Sequence, residues 1–185
     1  MQEYYGTKKL AAKPMTRGEY NTFRGWGLPV NENGADEGYL VEYLDGGKPN
    51  VEGYVGYVSW SPKDVFEKAY CPTNAMNFGH ALIALQEGKR VARAGWNGKN
   101  MFIALMPALK LPPFNSQEPG AKVNDRTAKF IGKDTPLDSQ PYFAMRTAEG
   151  KWQPGWLASQ ADMLAQDWCI VEEVVPAEDS QQKAA

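Results

Sequence analysis

Hydrophobic and polar residues alternate over short stretches in the first part of the chain, a pattern typical of half-buried β-strands. Aromatic and β-branched residues dominate positions 39–43 and 53–60, and the glycine-containing segment 45–47 lies between them. This arrangement predicts a β-hairpin. Directly after it, Ser61 and Pro62 occur in the order of a helix cap and a first helical residue, which predicts a short helix.

Two further helix starts are marked by capping residues. Thr16 and Glu19 have the spacing of a capping box, in which each side chain accepts a hydrogen bond from the backbone of the other residue. Asn77 is placed to cap another helix, which is expected to end at Gly88. The apolar residues of that helix recur at helical spacing and are Phe78, Ala81, Leu82 and Leu85.

The rest of the second half consists of short apolar runs separated by turn residues. Residues 95–98, Gly-Trp-Asn-Gly, are predicted to form a sharp turn, because Asn-Gly favours the two-residue turns of hairpins. Ser159 and Asp162 have capping-box spacing, which predicts a helix through Gln166. Strands are predicted at 89–93, 101–106, 142–147, 152–157 and 167–171.

These elements fall into two modules. The Pro- and Asn-containing segment 71–74 separates a first module at residues 1–72 from a second module at residues 76–175. Within the second module, 107–141 is rich in Pro and polar residues and is expected to be a long loop. Residues 176–185 are expected to form a disordered tail. The predicted fold class is α+β, with small antiparallel sheets and short helices.

Composition limits the functions that are open to this protein. The 185 residues are 43% hydrophobic and 12% aromatic, which is enough to form a core. The formal net charge of -2 argues against nonspecific DNA binding, which needs clustered Lys and Arg. The sequence has neither a run of about 20 apolar residues nor a signal-peptide segment. We therefore expect a cytoplasmic protein that does not bind membranes.

Candidate catalytic and metal-ligating residues are few. Cys71 and Cys169 lie far apart, and His80 is the single histidine, so the spacing of a zinc site is missing. We expect both cysteines to be reduced and structural. Carboxylate catalysis stays open because Asp and Glu are abundant, but no pair forms a recognisable motif. The sequence therefore predicts a binding protein without catalytic residues, metal or cofactor.

Four segments of the second module resemble the phage family Thoeris anti-defence 2. In chain order they are 76–82, 93–99, 156–164 and the pair Asp167-Trp168. The resemblance implies a sponge, a protein that binds a cyclic ADP-ribose-type immune signal and holds it without cleaving it. It also implies a homo-oligomer, a dimer or tetramer, with ligand sites between subunits. Some members bind cyclic dinucleotides in addition, so these are further candidate ligands.

Two parts of the chain distinguish it from short members of that family. One is the 107–141 insertion and the other is the module at 1–72, so the resemblance leaves the ligand and the oligomer geometry open. The first module itself resembles a phage module without an assigned role, through 13–21, 38–43 and 59–63.

The turn at 95–98 offers groups suited to an adenine-bearing pyrophosphate. Trp96 supplies a flat surface for stacking, worth roughly 1–3 kcal/mol per base, and Gly98 allows close approach to its backbone N–H. Arg93 or Lys99 is a candidate source of positive charge for phosphate. The alternative is that Trp96 belongs to the core and that Asn97 and Gly98 only connect two strands. The family resemblance favours ligand binding, with Trp96 and Asn97 as first candidates.

The residues around the second capping box are further candidates. The N-terminus of a helix presents N–H groups and a partial positive charge, which suits an anion. Ser159 and Asp162 are equally explained by capping alone, and Trp156 by burial in the core. Gln160 adds an amide. The predicted ligand-binding residues are thus Arg93, Trp96, Asn97, Gly98, Trp156, Ser159, Gln160 and Asp162.

A second class of function stays open for the first module, which is rich in aromatic residues. If several of them face solvent they mark a contact surface, and otherwise they form the core of a small domain. With a contact surface, the chain would be a structural phage protein or an inhibitor that binds another protein. The aromatic residues concerned are Trp26, Tyr39, Tyr43, Tyr54, Tyr57 and Trp60.

Overall fold

The computed structural model describes residues 1–4 and 6–172. It divides the chain into two compact units, Met1–Cys71 and Pro72–Ala185. Each unit has its own antiparallel sheet and its own buried residues, and the helices are short, which confirms the predicted α+β class. The predicted tail at 176–185 lies outside the described residues.

The N-terminal unit is a small antiparallel sheet with two helices in its described part. Its elements are β1 (Leu10–Pro14), α1 (Arg17–Arg24), β2 (Gly38–Tyr43), β3 (Tyr57–Pro62) and α2 (Lys63–Ala69). The strands pair in the order β1-β2-β3. Tyr20, Leu40 and Val58 form the buried core of this unit.

The predicted hairpin is confirmed by the antiparallel pairing of β2 with β3. The strand β3 begins at Tyr57, later than the pattern predicts. The Glu42 carboxylate accepts hydrogen bonds from the N–H groups of Val55 and Gly56 at 2.7 and 2.9 Å, which holds the residues before β3 in a loop. The connection is therefore a longer, anchored loop and not a tight turn at 45–47.

The two helices of this unit begin differently. The predicted capping box of α1 is confirmed, because Thr16 Oγ1 accepts from the Glu19 N–H at 3.2 Å and Glu19 Oε2 accepts from the Thr16 N–H at 2.7 Å. The prediction that Ser61 caps α2 is wrong. Ser61 lies within β3, and α2 begins at Lys63 without a side-chain cap. The Lys63 N–H donates instead to the Glu37 carbonyl at 3.1 Å.

The C-terminal unit contains a larger sheet with the strand order β10-β4-β5-β8-β9 and a small sheet of β6 and β7. Asn77 caps α3 as predicted, accepting from the His80 N–H at 3.0 Å. No helix in residues 1–4 and 6–172 has the length and apolar character needed to cross a bilayer. The elements are α3 (Phe78–Gln86), β4 (Arg90–Arg93), β5 (Phe102–Met106), β6 (Leu109–Leu111), α4 (Asp125–Ile131), β7 (Leu137–Ser139), β8 (Tyr142–Arg146), β9 (Trp152–Pro154), α5 (Gln160–Met163) and β10 (Trp168–Val171).

The larger sheet buries one face against α3. Ala81, Ala84 and Leu85 of the helix join strand residues in one core cluster. Successive side chains of a strand point to opposite faces, so the neighbours of the buried strand residues lie on the other side of the sheet. The strand residues of the core are Val91, Ile103, Met145 and Trp168.

The segment 107–141 is not the structureless loop that its composition predicts. Its strands β6 and β7 pair antiparallel, and α4 lies between them in the chain. Asn124 caps α4 by accepting from the Thr127 N–H at 2.8 Å. Val123 and Ala128 are buried and give the segment apolar anchors. The prolines lie outside these elements, where a missing N–H costs no ladder or helix bond.

The connection between β4 and β5 is a wider loop than the sharp turn predicted at 95–98. A type I′ turn needs positive φ at both central residues. In this connection the positive φ belongs to Asn100, at 58°, and not to Asn97 or Gly98. The prediction of a two-residue turn is therefore wrong. The strand β9 ends at Pro154 and the helix α5 ends at Met163, so both elements are also shorter than predicted.

Candidate ligand-binding site

Trp96, Trp156 and Trp168 come from separate segments and form a tryptophan cluster. Ring centroids lie 5.5 Å apart for Trp96 and Trp168, 6.2 Å for Trp156 and Trp168, and 6.4 Å for Trp96 and Trp156. All three pairs meet edge to face, an arrangement that aromatic quadrupoles favour. Trp168 is fully buried, whereas Trp96 and Trp156 are half-buried. The cluster thus fixes Trp96 while leaving part of it accessible.

Arg93, Asp162 and Asp167 form an ion-pair network that ties this cluster to the sheet. Arg93 Nη1 lies 2.9 Å from Asp162 Oδ1, and Arg93 Nε lies 2.8 Å from Asp167 Oδ1. The Gly95 N–H donates to Asp167 Oδ2 at 2.8 Å, and Trp96 Nε1 donates to Asp162 Oδ1 at 3.4 Å. The network therefore holds both the backbone before Trp96 and its indole ring.

The ion-pair network lowers the pKa of both carboxyls. The hydrogen bond from Arg93 is the main cause of a pKa of Asp167 below its ordinary value of 3.8. Partial burial raises the pKa of Asp162, but hydrogen bonds from Ser159 and Arg93 outweigh it, so that pKa is lowered as well. Bonds to Asp167 and then Asp162 raise the pKa of Arg93. All three groups are therefore charged at neutral pH, and neither carboxyl is suited to proton transfer there.

We expect the C-terminal unit to lose stability in acid through this network. Both carboxyls have a lower pKa in the folded than in the unfolded chain. The two carboxylates therefore contribute fully to the free energy of unfolding above pH 3.8, which is their ordinary pKa in the unfolded chain. This contribution is lost as the pH falls through their lower pKa values in the folded chain. Urea unfolding at about pH 7 and about pH 3 measures this loss. Asp167→Asn should reduce the difference between the two conditions, and an unchanged difference would contradict the assignment.

The structure brings five of the predicted site residues into direct contact with one another. Arg93 and Trp96 both bond to Asp162, Trp156 packs against Trp96, and Ser159 bonds to Asp162. Arg93 is engaged by two carboxylates and is not the free cation for phosphate that the sequence predicts. It holds the loop before Trp96 and the helix α5 in place.

The remaining predicted residues lie beside these contacts. Asn97 is exposed on the loop after Trp96, and Gln160 is exposed as the first residue of α5. Gly98 is needed for packing, because a Cβ there would overlap the Met101 side chain and lie 3.0 Å from Ala148 Cβ. The exposed amides of Asn97 and Gln160 therefore stay candidate ligand contacts.

The N-terminus of α5 is occupied by its own capping box. Ser159 Oγ accepts from the Asp162 N–H at 3.1 Å, and Asp162 Oδ2 accepts from the Ser159 N–H at 3.1 Å, which confirms the predicted capping box. The helix has 4 residues, so its dipole is small. The predicted attraction of this helix end for an anion is correspondingly weak.

Asp167 is a residue of the network that the sequence analysis did not single out for the site. It bonds to Arg93 and to the Gly95 N–H. A Cβ at Gly95 would lie 2.9 Å from Asp167 Oδ2, so the glycine permits the close approach of the carboxylate. The motif pair Asp167-Trp168 is the sequence signal that could have identified it.

Large exposed apolar side chains lie close in the chain to Trp156 and to the helix α5. Leu157 and Leu164 are 87% and 82% exposed, and Met163 is 47% exposed. Leu157 follows Trp156 in the chain, Met163 is the last residue of α5, and Leu164 comes directly after that helix. Exposed apolar residues grouped in this way are typical of a contact surface.

The described residues offer few further candidates for metal binding or nucleophilic catalysis. In that part of the chain, no group of three or more His, Cys, Asp or Glu side chains is placed to hold a metal ion. Cys71 and Cys169 are free thiols. His80 Nδ1 is buried without a hydrogen-bond partner in the described structure.

Comparison with known proteins places the C-terminal unit in a family. The sequence model of the Thoeris anti-defense 2-like domain matches residues 76–171, which include the tryptophan cluster and the ion-pair network. A protein of Bacillus phage SP01 named Thoeris anti-defense 2 is 38% identical over 96 residues, which are 52% of this chain and 94% of that protein. The chain therefore belongs to the Thoeris anti-defense 2-like family.

Proposed function

We propose that this chain is a phage anti-defence protein that binds and sequesters a cyclic ADP-ribose-type immune signal without cleaving it. Membership of the Thoeris anti-defense 2-like family supports the anti-defence role. The structural observation that carries the proposal is the half-buried indole of Trp96, fixed by two other indoles and by Asp162.

A fixed indole is a good platform for a nucleotide base. Side chains that are already ordered lose little conformational entropy on binding, so more of the stacking energy appears as affinity. Asn97, which follows Trp96 in the chain, and Gln160, on the helix α5 that carries Asp162, have exposed amides. Amides both donate and accept hydrogen bonds, which suits ribose hydroxyls and the edge of a base.

The ion-pair network supports binding without cleavage. Hydrolysis of the signal would need a general acid or base whose pKa is near the working pH. Asp162 and Asp167 are committed to Arg93, and their pKa values are lowered, which moves them away from that range. In the proposed site these residues position Trp96 and do not take part in chemistry.

We place the ligand between copies of the chain in a homo-oligomer. Leu157, Met163 and Leu164 give the surface around the tryptophan cluster an apolar character that a second copy would bury. Closure by a second copy would also shield the ligand from water and slow its release. The oligomer is a dimer or tetramer, and cyclic dinucleotides are further candidate ligands.

The test is capture followed by release. The purified protein is incubated with cyclic ADP-ribose isomers and cyclic oligonucleotides, washed and heated, and the released compounds are identified by mass spectrometry. We expect an unaltered cyclic ADP-ribose-type molecule. Trp96→Ala should weaken capture by about 1–3 kcal/mol, which is about five- to 150-fold in Kd.

Trp26→Ala is the matched control, because Trp26 is an exposed tryptophan of the other unit, at 53% exposure. It should leave capture unchanged. An altered nucleotide in the heat eluate would show an enzyme and overturn the proposal. Recovery of no compound from the panel would favour the alternative function below.

The alternative is that the N-terminal unit inhibits or anchors another protein. Phe23 and Trp26 are 38% and 53% exposed, and Phe23 lies 5.8 Å from Tyr54 between ring centroids. Tyr20 contacts both exposed rings, so the side chains form one aromatic surface. An exposed aromatic surface of this kind is typical of protein contacts.

A further inference from the structure

Two Asn-Gly pairs occur in the chain, Asn33-Gly34 in the N-terminal unit and Asn97-Gly98 in the C-terminal unit. An asparagine before a glycine can lose its side-chain amide without an enzyme, because glycine has no Cβ to keep its backbone nitrogen away from the side chain. The reaction needs an asparagine side chain that is free to rotate and a following N–H that is not engaged in a hydrogen bond. The hydrogen bonds around the two pairs therefore indicate which of them reacts.

Asn33 is held in a hydrogen-bonded turn. Its side-chain Oδ1 accepts from the Ala35 N–H at 3.0 Å, and its carbonyl accepts from the Asp36 N–H at 3.1 Å. The next residue is fixed as well, because the Gly34 carbonyl accepts from the Gly18 N–H at 2.9 Å. The Asn33 side chain must break its bond before it can rotate toward the Gly34 nitrogen, so the fold protects this pair.

Asn97 has no such restraint. Its side chain is exposed, and within residues 1–4 and 6–172 neither its amide nor the Gly98 N–H has a hydrogen-bond partner. The loop is wider than a two-residue hairpin turn, which would have bonded the backbone on both sides of the pair. Gly98 packs against Met101, so the asparagine side chain is the group that moves. The exposed Lys99 adds a positive charge that favours loss of the Gly98 amide proton.

We propose that Asn97 is a site of self-modification, at which the chain converts this asparagine to aspartate or isoaspartate. The Gly98 nitrogen gives its proton to hydroxide and attacks the side-chain amide carbon of Asn97. A nitrogen–carbon bond forms, the bond to the side-chain nitrogen breaks, and ammonia leaves a cyclic succinimide. Water then opens the ring at either carbonyl, which gives aspartate or isoaspartate. Both products carry a carboxylate in place of the neutral amide, and no oxidant or reductant is needed.

The consequence for ligand capture rests on the proposed function of the Trp96 surface. A carboxylate directly after Trp96 would repel the pyrophosphate of a cyclic ADP-ribose-type signal and should weaken capture by about fivefold. Isoaspartate also inserts an extra main-chain atom between Trp96 and Gly98. Asp162 holds the Trp96 indole and Met101 packs against Gly98, so the extra atom displaces position 97. Newly made protein is therefore the better binder, and capture declines as the protein ages.

The direct test is ageing of the folded full chain at about pH 8, where hydroxide is abundant, followed by tryptic digestion and mass spectrometry. Asn97 lies in the tryptic peptide 94–99 and Asn33 in a different one, so the two pairs are measured separately. We expect a product about 1 Da heavier in peptide 94–99, which forms at least about tenfold faster than the product at Asn33. In urea the two rates should become similar. Equal rates in the folded protein would overturn the proposal.

Variants connect the modification with capture. Asn97→Gln keeps an amide and should not form the product, because its longer side chain closes a less favourable ring. Asn97→Asp should capture cyclic ADP-ribose isomers about fivefold less tightly than unaged protein, and equal capture would overturn the consequence for the ligand. Asn33→Asp is the matched control and should leave capture unchanged, since a carboxylate can still accept from the Ala35 N–H. If unaged wild-type protein captures no compound, the proposed function fails, and the mass of peptide 94–99 still decides on the modification.

Discussion

Replacing Trp168 with alanine is expected to destabilise the C-terminal unit by about 3–5 kcal/mol. The side chain is fully buried and contacts Phe78, Trp96 and Trp156. Its Nε1–H donates to the Asp162 carbonyl at 3.0 Å. The substitution therefore leaves a cavity and an unpaired carbonyl at the same place. A loss of this size is a large part of the stability of a domain, which is about 5–15 kcal/mol.

Hydrogen exchange of the Val91 and Ile103 amides measures this loss within the affected sheet. Trp152→Ala is the control, because that tryptophan is half exposed at the edge of the same sheet. It should cost less than about 1 kcal/mol. Equal effects of the two substitutions would contradict the position of Trp168 at the centre of the core.

The second large effect is expected from Arg93→Gln, which should cost about 2 kcal/mol. The substitution leaves Asp162 and Asp167 with two charges and no cation between them. The Asp162 side chain is 13% exposed and that of Asp167 is 33% exposed, so solvent reduces the cost below that of a fully buried pair. Because Arg93 also anchors the Trp96 loop, ligand capture should weaken together with stability.

A double-mutant cycle separates the ion pair from other effects. Arg93→Gln combined with Asp167→Asn should cost less than the sum of the two single changes, with a coupling of about 1 kcal/mol or more. Lys110→Gln is the matched control, since Lys110 and Asp138 form an exposed pair at 3.5 Å. That change should cost no more than about 0.5 kcal/mol. Additive effects at Arg93 and Asp167 would contradict the proposed network.

Local signals explain which elements could be predicted from the sequence. Thr16 and Glu19, Asn77, and Ser159 with Asp162 all form the expected caps, because a cap depends on residues within one turn of the chain. Strands of the larger sheet were found from runs of apolar residues. The pairs β4–β5 and β8–β9 join neighbouring strands, but β10–β4 and β5–β8 join strands that are distant in sequence, so the full strand order could not be derived from the pattern.

The predictions failed where tertiary contacts determine the conformation. The strand β1 has no strong pattern and is mostly exposed, and it forms because β2 offers a free edge. In the segment 107–141, a few buried residues such as Val123 and Ala128 order a stretch whose proline content indicates a loop. At 95–98, Gly98 is present for packing against Met101 and not for a two-residue turn.

The candidate site also combines residues that local patterns pointed to with contacts that depend on the tertiary structure. The sequence analysis named Trp96 and Asp162 as candidates, and the structure brings them into contact, but it assigned Arg93 to phosphate, whereas Arg93 is paired with two carboxylates. Arg93 and Asp167 are 74 positions apart, and only the antiparallel pairing of β4 with β10 brings them together.

Asp162 makes several of the contacts described above at once. It completes the cap of α5, pairs with Arg93, and accepts hydrogen bonds from Trp96 through its carboxylate and from Trp168 through its carbonyl. A change at this position would disturb all the carboxylate contacts together, so it has little room to vary during evolution. In the proposed function, ligand preference would be adjusted instead at Asn97 and Gln160, whose exposed side chains can be exchanged without disturbing that scaffold.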